Sequence, residues 1–145
     1  MSVKPIPDGY HTLNPYFLVA DGAAFIEFLK KAFGAVEGYK MTSPDGAVRH
    51  AEMTVGDSKI MMGQVGGEWK VATCSLYFYV PDTDATYQSA LEAGATSVMA
   101  PSDQFYGDRN AGVKDPEGNT WWIATHIEDV SPEEVSRRAA AHGKG

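Results

Sequence analysis

Cysteine is almost missing from this chain: Cys74 stands alone, so no internal disulfide can form and the fold must hold by packing. Also missing is any apolar run long enough to span a bilayer, and Met1-Ser2-Val3-Lys4-Pro5 carries no hydrophobic targeting stretch. Basic charge is scarce. Twelve Lys and Arg against 19 Asp and Glu give a net charge of −7, which repels phosphate backbones and anionic membranes. The expectation is a cytoplasmic protein that binds neither nucleic acid nor membrane. Gly66-Gly67 and Gly107 make no phosphate loop, and no dinucleotide fingerprint is present. Cys74 and Ser75 lack a histidine and carboxylate at a spacing that would make them nucleophiles. What remains is ordinary: 145 residues, 43% hydrophobic, enough to bury a core within one domain.

The order of the chain repeats. Tyr16-Phe17-Leu18-Val19-Ala20-Asp21 reads as a strand ending in a helix cap. Phe25, Phe28, Leu29 and Ala32 then recur at helical spacing, and Gly34 supplies the stop. The second half runs the same way: strand Leu76-Tyr77-Phe78-Tyr79-Val80, cap at Asp82 or Thr83, helix from Ala85 to Ala93, stop at Gly94. Val19-Ala20-Asp21 answers to Val80-Pro81-Asp82, and Phe33-Gly34-Ala35 to Ala93-Gly94-Ala95.

Hairpins follow each helix. Ser43-Pro44-Asp45-Gly46 turns the chain into Arg49–Val55, and Gly56-Asp57 turns it into Ser58–Met62. In the second half an irregular strand is punctuated by Gly107 and Gly112, and Asp115-Pro116-Glu117-Gly118 turns into Asn119–Ala124. From Ser131, with Pro132 at the first helical position and Glu134 completing a capping box, a short helix runs to Ala141. Arg137, Arg138, His142 and Lys144 near its end suit the helix dipole and carry no chemistry in this reading. The expected fold is α+β: two βαβββ modules, about 10–64 and 72–127, joined by a Gly-rich link at about 65–71. Their sheets curl into a cup, and a C-terminal helix at 131–141 completes a single domain.

Several strings carry a resemblance. They are Gly9-Tyr10-His11-Thr12-Leu13-Asn14-Pro15-Tyr16, His50-Ala51-Glu52 through Met61-Met62, and Asp103-Gln104-Phe105-Tyr106-Gly107-Asp108-Arg109. Asp115-Pro116-Glu117-Gly118-Asn119-Thr120-Trp121-Trp122 and Thr125-His126-Ile127-Glu128-Asp129-Val130-Ser131 complete the set. Together they resemble the vicinal oxygen chelate superfamily of glyoxalases, bleomycin-resistance proteins and extradiol dioxygenases, and within it the PhnB-like branch. The resemblance implies paired βαβββ modules, a homodimer that sometimes exchanges modules, and in metal-dependent members one ligand on each of four strands, the first and the last of each module. Those four positions fall on Asn14, Glu52, Ser75 and Trp122.

An amide, one carboxylate, a hydroxyl and an indole do not make a divalent site, which needs three His, carboxylate or thiolate donors. His50, Glu52 and His126 are better donor types, but along their strands they do not converge. No metal and no cofactor are expected. Alternation instead points Asn14, Tyr16, His50, Glu52, Ser75, Tyr77, Tyr79 and Trp122 toward a ligand cavity with aromatic walls. Glu52 there is either paired with His50 or Arg109, raised in pKa, or an anchor for a cationic ligand. Three readings stay open at this point. One is metal-independent binding of a small aromatic or cationic molecule. Another is a metal-dependent isomerase, lyase or dioxygenase using Glu52 and His50, and the last is a collapsed pocket serving only as an interaction partner.

Overall fold

A computed structural model describes residues 3–66, 68 and 70–142. Lys144 and part of the N-terminal stretch and of the Gly-rich link lie outside the described residues. The order is β1 (Tyr16–Val19), α1 (Gly22–Phe33), β2 (Val36–Thr42), β3 (Val48–Val55) and β4 (Ser58–Gln64). It then repeats as β5 (Ser75–Tyr79), α2 (Thr83–Glu92), β6 (Thr96–Asp103), β7 (Asp108–Lys114) and β8 (Thr120–His126), followed by α3 (Pro132–His142). Each half forms a four-stranded mixed sheet, ordered β1-β4-β3-β2 and β5-β8-β7-β6. In both, the first strand pairs parallel with the last and the other pairings are antiparallel. The expected pair of βαβββ modules with a short C-terminal helix is the observed architecture.

Local chemistry sets the helix ends. Asp21 accepts from the Ala24 amide at 3.1 Å, and Gly34 closes α1 in the left-handed region at φ 67°, its N–H reaching Lys30 O at 3.0 Å. Asp82, rather than Thr83, caps α2 through the Ala85 amide, so that helix begins two residues earlier than its periodicity suggests. β1 stops at Val19, short of the expected Asp21. The amides of Ala20 and Asp21 donate instead to the Glu117 carboxylate in the second module, at 2.8 and 3.1 Å. The capping box of α3 is half made. The Glu134 amide donates to Ser131 Oγ, while the Glu134 carboxylate turns to Arg137 and Arg138. Arg138 does more than complement a dipole: it ties α3 to the Phe105 carbonyl and to Glu128.

The two helices pack against each other and both sheets turn one face toward them. Phe17, Val19, Phe25, Leu29, Met53 and Met62 of the first module and Val113, Trp121 and Ile123 of the second join one buried cluster. Trp121 is the bridge. Its ring stacks on Phe17 (5.4 Å, 20°) and meets Phe33 at 4.7 Å and Phe78 at 5.5 Å. Its indole N–H reaches Asp115 at 2.8 Å. Because alternate residues of a strand point oppositely, burying Phe17, Ala51, Met62, Trp121 and Ile123 leaves their neighbours on the opposite, open face.

Candidate functional site

On the open face of the first sheet, Glu52 and His50 sit two residues apart on β3 and meet directly, His50 Nε2 lying 3.0 Å from Glu52 Oε2. The other carboxylate oxygen accepts from the Tyr10 hydroxyl, brought in by the segment that precedes β1. On the far side of the imidazole, Nδ1 lies 3.2 Å from the Tyr16 hydroxyl on β1. The hydrogen bond from His50, joined by the one from Tyr10, holds the Glu52 pKa below the usual carboxylate range, so Glu52 is an ion at neutral pH. The same bond from Tyr10 to Glu52, with some burial, raises the Tyr10 pKa to about 12. Glu52 is therefore paired rather than protonated.

The second sheet carries its own constellation around Asp108, which is 4% exposed. Tyr77 and Tyr79 donate to Asp108 Oδ2 at 2.6 and 3.0 Å, and His126 Nδ1 approaches Oδ1 at 3.0 Å. His126 Nε2 in turn faces Asp129 at 2.8 Å. Asn110 donates to both the Tyr77 and Tyr106 hydroxyls. Burial alone would favour the neutral acid at Asp108; hydrogen bonds from Tyr77, His126 and Tyr79 outweigh it and its pKa is lowered. Burial first, then the bond to Asp108, raises the Tyr77 pKa.

His126 lies between two carboxylates, and the hydrogen bonds to Asp108 and then Asp129 raise its pKa above the ordinary 6.5. A group whose folded pKa is raised contributes stability below its unfolded pKa, and that contribution fades as pH climbs through the folded value. We expect the thermal midpoint to fall as pH rises from 6.5 through the raised value, and the fall to flatten in His126→Gln. A series of melts in matched buffers measures it; equal slopes in both proteins would contradict the assignment.

The open-face candidates fall into two groups. Tyr16, His50 and Glu52 share the first sheet; Ser75, Tyr77, Tyr79 and Trp122 share the second. No hydrogen bond among the described residues joins the two groups. Asn14 lies just before β1, where its amide closes a reciprocal pair with the His11 backbone at 3.1 and 2.7 Å. Arg109 corrects the expectation of a Glu52 partner. It sits on the helix side of β7, where it forms a bidentate pair with Asp84 at 2.7 and 2.9 Å and reaches Asp103 at 2.9 Å. A cleft of about 970 Å³ runs between the end of α1, the β3–β4 turn and β5, and of the candidates only Tyr77 and Tyr79 line it. Sequence reasoning missed Tyr10, Asp108 and Asn110 as members of a site.

Trp122 fills its part of the second open face. Its indole N–H donates to Ser75 Oγ at 3.1 Å, and its ring lies over Gly112, where a Cβ would stand 2.5 Å from Trp122 Cζ3. Glycine is the residue that lets the ring lie flat on β7.

A sequence profile of the Glyoxalase/Bleomycin resistance protein/Dioxygenase superfamily matches residues 11–123. The chain belongs to this superfamily. Uncharacterised proteins of Mycobacterium bovis and Mycobacterium tuberculosis are 34% identical over 144 residues, covering 92% of this chain and 95% and 85% of theirs. Among solved structures, TioX from Micromonospora sp. ML1 superposes with a TM-score of 0.69 at 23% identity, over 81% of this chain and 99% of that one. The fosfomycin resistance protein FosX from Mesorhizobium loti gives 0.60 at 17%, over 86% and 95%. At these identities the structures speak for the fold.

Metal-dependent members of the superfamily raise the question whether this chain fits an ion. Of the four positions the resemblance assigns to ligands, Asn14 is spent on a turn, Ser75 accepts from an indole, Trp122 is that indole, and Glu52, which lies on β3 and not on the module's last strand β4, has both oxygens engaged. No group of three His, Cys, Asp or Glu among the described residues is arranged to hold a metal. These residues do not fit a resident divalent ion.

Proposed function

We propose that the chain binds a small aromatic or cationic organic molecule on the open faces of its sheets, without a metal, as a homodimer. One observation carries this reading. Tyr16, Tyr77 and Tyr79 are 49%, 44% and 62% exposed, yet their hydroxyls are tied down to His50 and Asp108. A phenol held at its tip has little rotamer freedom left to lose when a ligand stacks on it. The lowered pKa values keep Asp108, at the Tyr77 and Tyr79 hydroxyls, and Glu52, on the far side of His50 from Tyr16, ionised, and both favour positive charge nearby. The dimer follows from the bareness of both faces: a second copy placed over them would make a cavity of two half-walls. The PhnB-like branch and a cytoplasmic location belong to this proposal as well.

Titration calorimetry with a planar quaternary aromatic cation, N-methylacridinium, tests the binding. We expect saturable heat, with affinity falling about tenfold in Tyr79→Ala, the cost of one cation–aromatic contact. No heat and no change in tryptophan emission at millimolar probe would sink the ligand class. Sedimentation that finds only the single-chain mass at every concentration would sink the dimer.

A further inference from the structure

Glu52 and His50 on β3 and Tyr16 on β1 form a line that crosses the intervening strand β4. The carboxylate faces His50 Nε2, and the opposite ring nitrogen faces the Tyr16 hydroxyl. Acceptance by ionised Glu52 fixes the proton of neutral His50 on Nε2 and leaves the Nδ1 lone pair directed at the phenol. The second carboxylate oxygen is occupied by Tyr10, so Glu52 cannot turn away from the imidazole without losing a bond. Tyr16 is the outermost of the three: it is 49% exposed, whereas the His50 and Glu52 side chains are 20% and 25% exposed.

The passage for Tyr16 is a glycine. Tyr16 leaves β1 and crosses β4 at Gly63, where a Cβ would lie 2.9 Å from the Tyr16 hydroxyl oxygen. Any larger residue there would push the phenol off its partner. The other phenols of the open faces lack this arrangement. Tyr10 donates to Glu52, and Tyr77 and Tyr79 donate to Asp108; each thereby acquires a raised pKa, the reverse of activation. Among the described residues, Tyr16 is the tyrosine whose hydroxyl faces an imidazole nitrogen.

We infer that Glu52–His50–Tyr16 is a metal-free proton relay that activates the Tyr16 hydroxyl as an acid–base and nucleophilic group on the open face of the first sheet. His50 acts as the base, Glu52 is the residue that positions it, and Tyr16 is the group that meets the substrate. The substrate class is a small molecule with an activated carbonyl. With an activated ester, Tyr16 oxygen bonds to the carbonyl carbon, the phenol proton passes to His50 Nδ1, and the ester C–O bond breaks to release the alcohol as its anion. His50 then returns its proton to solvent, and the acyl group remains on Tyr16. This inference does not depend on binding of an aromatic cation, and its test uses none.

The probe is p-nitrophenyl acetate. On the intact chain we expect one equivalent of nitrophenolate released in a burst and one acetyl group found by mass spectrometry on Tyr16. Labelling of Tyr16 should outpace that of exposed Tyr106, the internal control whose hydroxyl accepts from Asn110, by about a hundredfold, the usual gain from a positioned base. The labelling rate is followed as a function of pH. His50→Gln should remove the advantage, and Glu52→Gln should lower it while displacing the pH profile. Gly63→Ala keeps all three groups and only crowds the phenol, so it should slow labelling in a chain that is still folded by circular dichroism. Three outcomes overturn the inference: Tyr16 labelled no faster than Tyr106, equal labelling in His50→Gln, or acetyl on His50 itself at a rate unchanged by Tyr16→Phe.

Discussion

Replacing Trp121 by alanine is expected to cost about 3–5 kcal/mol of folding stability, the range for deleting a large aromatic from a closed core. The side chain is 2% exposed and touches three rings drawn from both halves of the chain: Phe17 on β1, Phe33 at the end of α1, and Phe78 on β5. Its loss also leaves Asp115 without one of its donors. Asp115 is 3% exposed and accepts from the amides of Glu117 and Asn119 and from the Asn119 side chain as well. Because the ring spans the two modules, the denaturant slope should change along with the midpoint as the modules lose their coupling. Trp122→Phe is the control. Its neighbour indole lies on the open face and is only partly buried, so the cost should stay near 1 kcal/mol, the worth of its bond to Ser75. Urea unfolding of both variants decides the matter; a Trp121→Ala loss no larger than that of Trp122→Phe would mean that the modules are held together elsewhere.

Asp108→Ala should be the next most damaging change, at about 2–3 kcal/mol, because three donors lose a common acceptor in a site closed to water on one side. Asp108→Asn separates the shape of the group from its charge. It should hold Tyr77 and Tyr79 in place better than alanine does, yet return the His126 pKa toward its ordinary value, which a histidine proton-resonance titration reads directly. The pH logic runs in two directions. Asp108, lowered in pKa, supports the fold above its unfolded value and loses that support as pH falls through its folded value. His126, raised in pKa, loses its contribution at the alkaline end. In Asp108→Asn both flanks of the stability profile should flatten. An unchanged His126 titration in that variant would show that Asp129 alone governs the imidazole.

The pairing of two open faces, each with a carboxylate, a histidine and tied tyrosines, is not a simple copy of one half onto the other. By strand register Glu52 stands opposite Met61 in the first sheet, and Gly112 stands opposite Trp122 in the second. The level that holds the carboxylate in one module is covered by an indole in the other. Asp108 lies further along its strand, opposite His126. Each module thus reaches a similar set of groups from different positions, and only the first leaves a phenol facing an imidazole.

Much of this was legible in the residues themselves. Period and punctuation fix the repeated strand, helix and hairpins, because Asp21, Gly34, Asp82 and the Asp115–Gly118 turn act within a few residues of where they sit. Alternation along β3 puts His50 and Glu52 on one side with no help from the rest of the chain, and two residues of separation make their contact nearly unavoidable. Alternation also separates Arg109 from Asp108 along β7, but no spacing in the sequence names Asp84 and Asp103 as the carboxylates that Arg109 meets. Partners that arrive from a distance were not legible. Tyr10 comes from a segment without periodicity, and Asp108 gathers Tyr77, Tyr79 and His126 across 31, 29 and 18 residues of chain. The Glu117 carboxylate that ends β1 lies 97 residues away. What the chain determined by itself is local, since caps, turns and face parity depend on near neighbours. Which groups meet across strands and modules was decided only by the tertiary packing, because hydrogen bonds act over about 3 Å and no spacing along the sequence encodes such a distance.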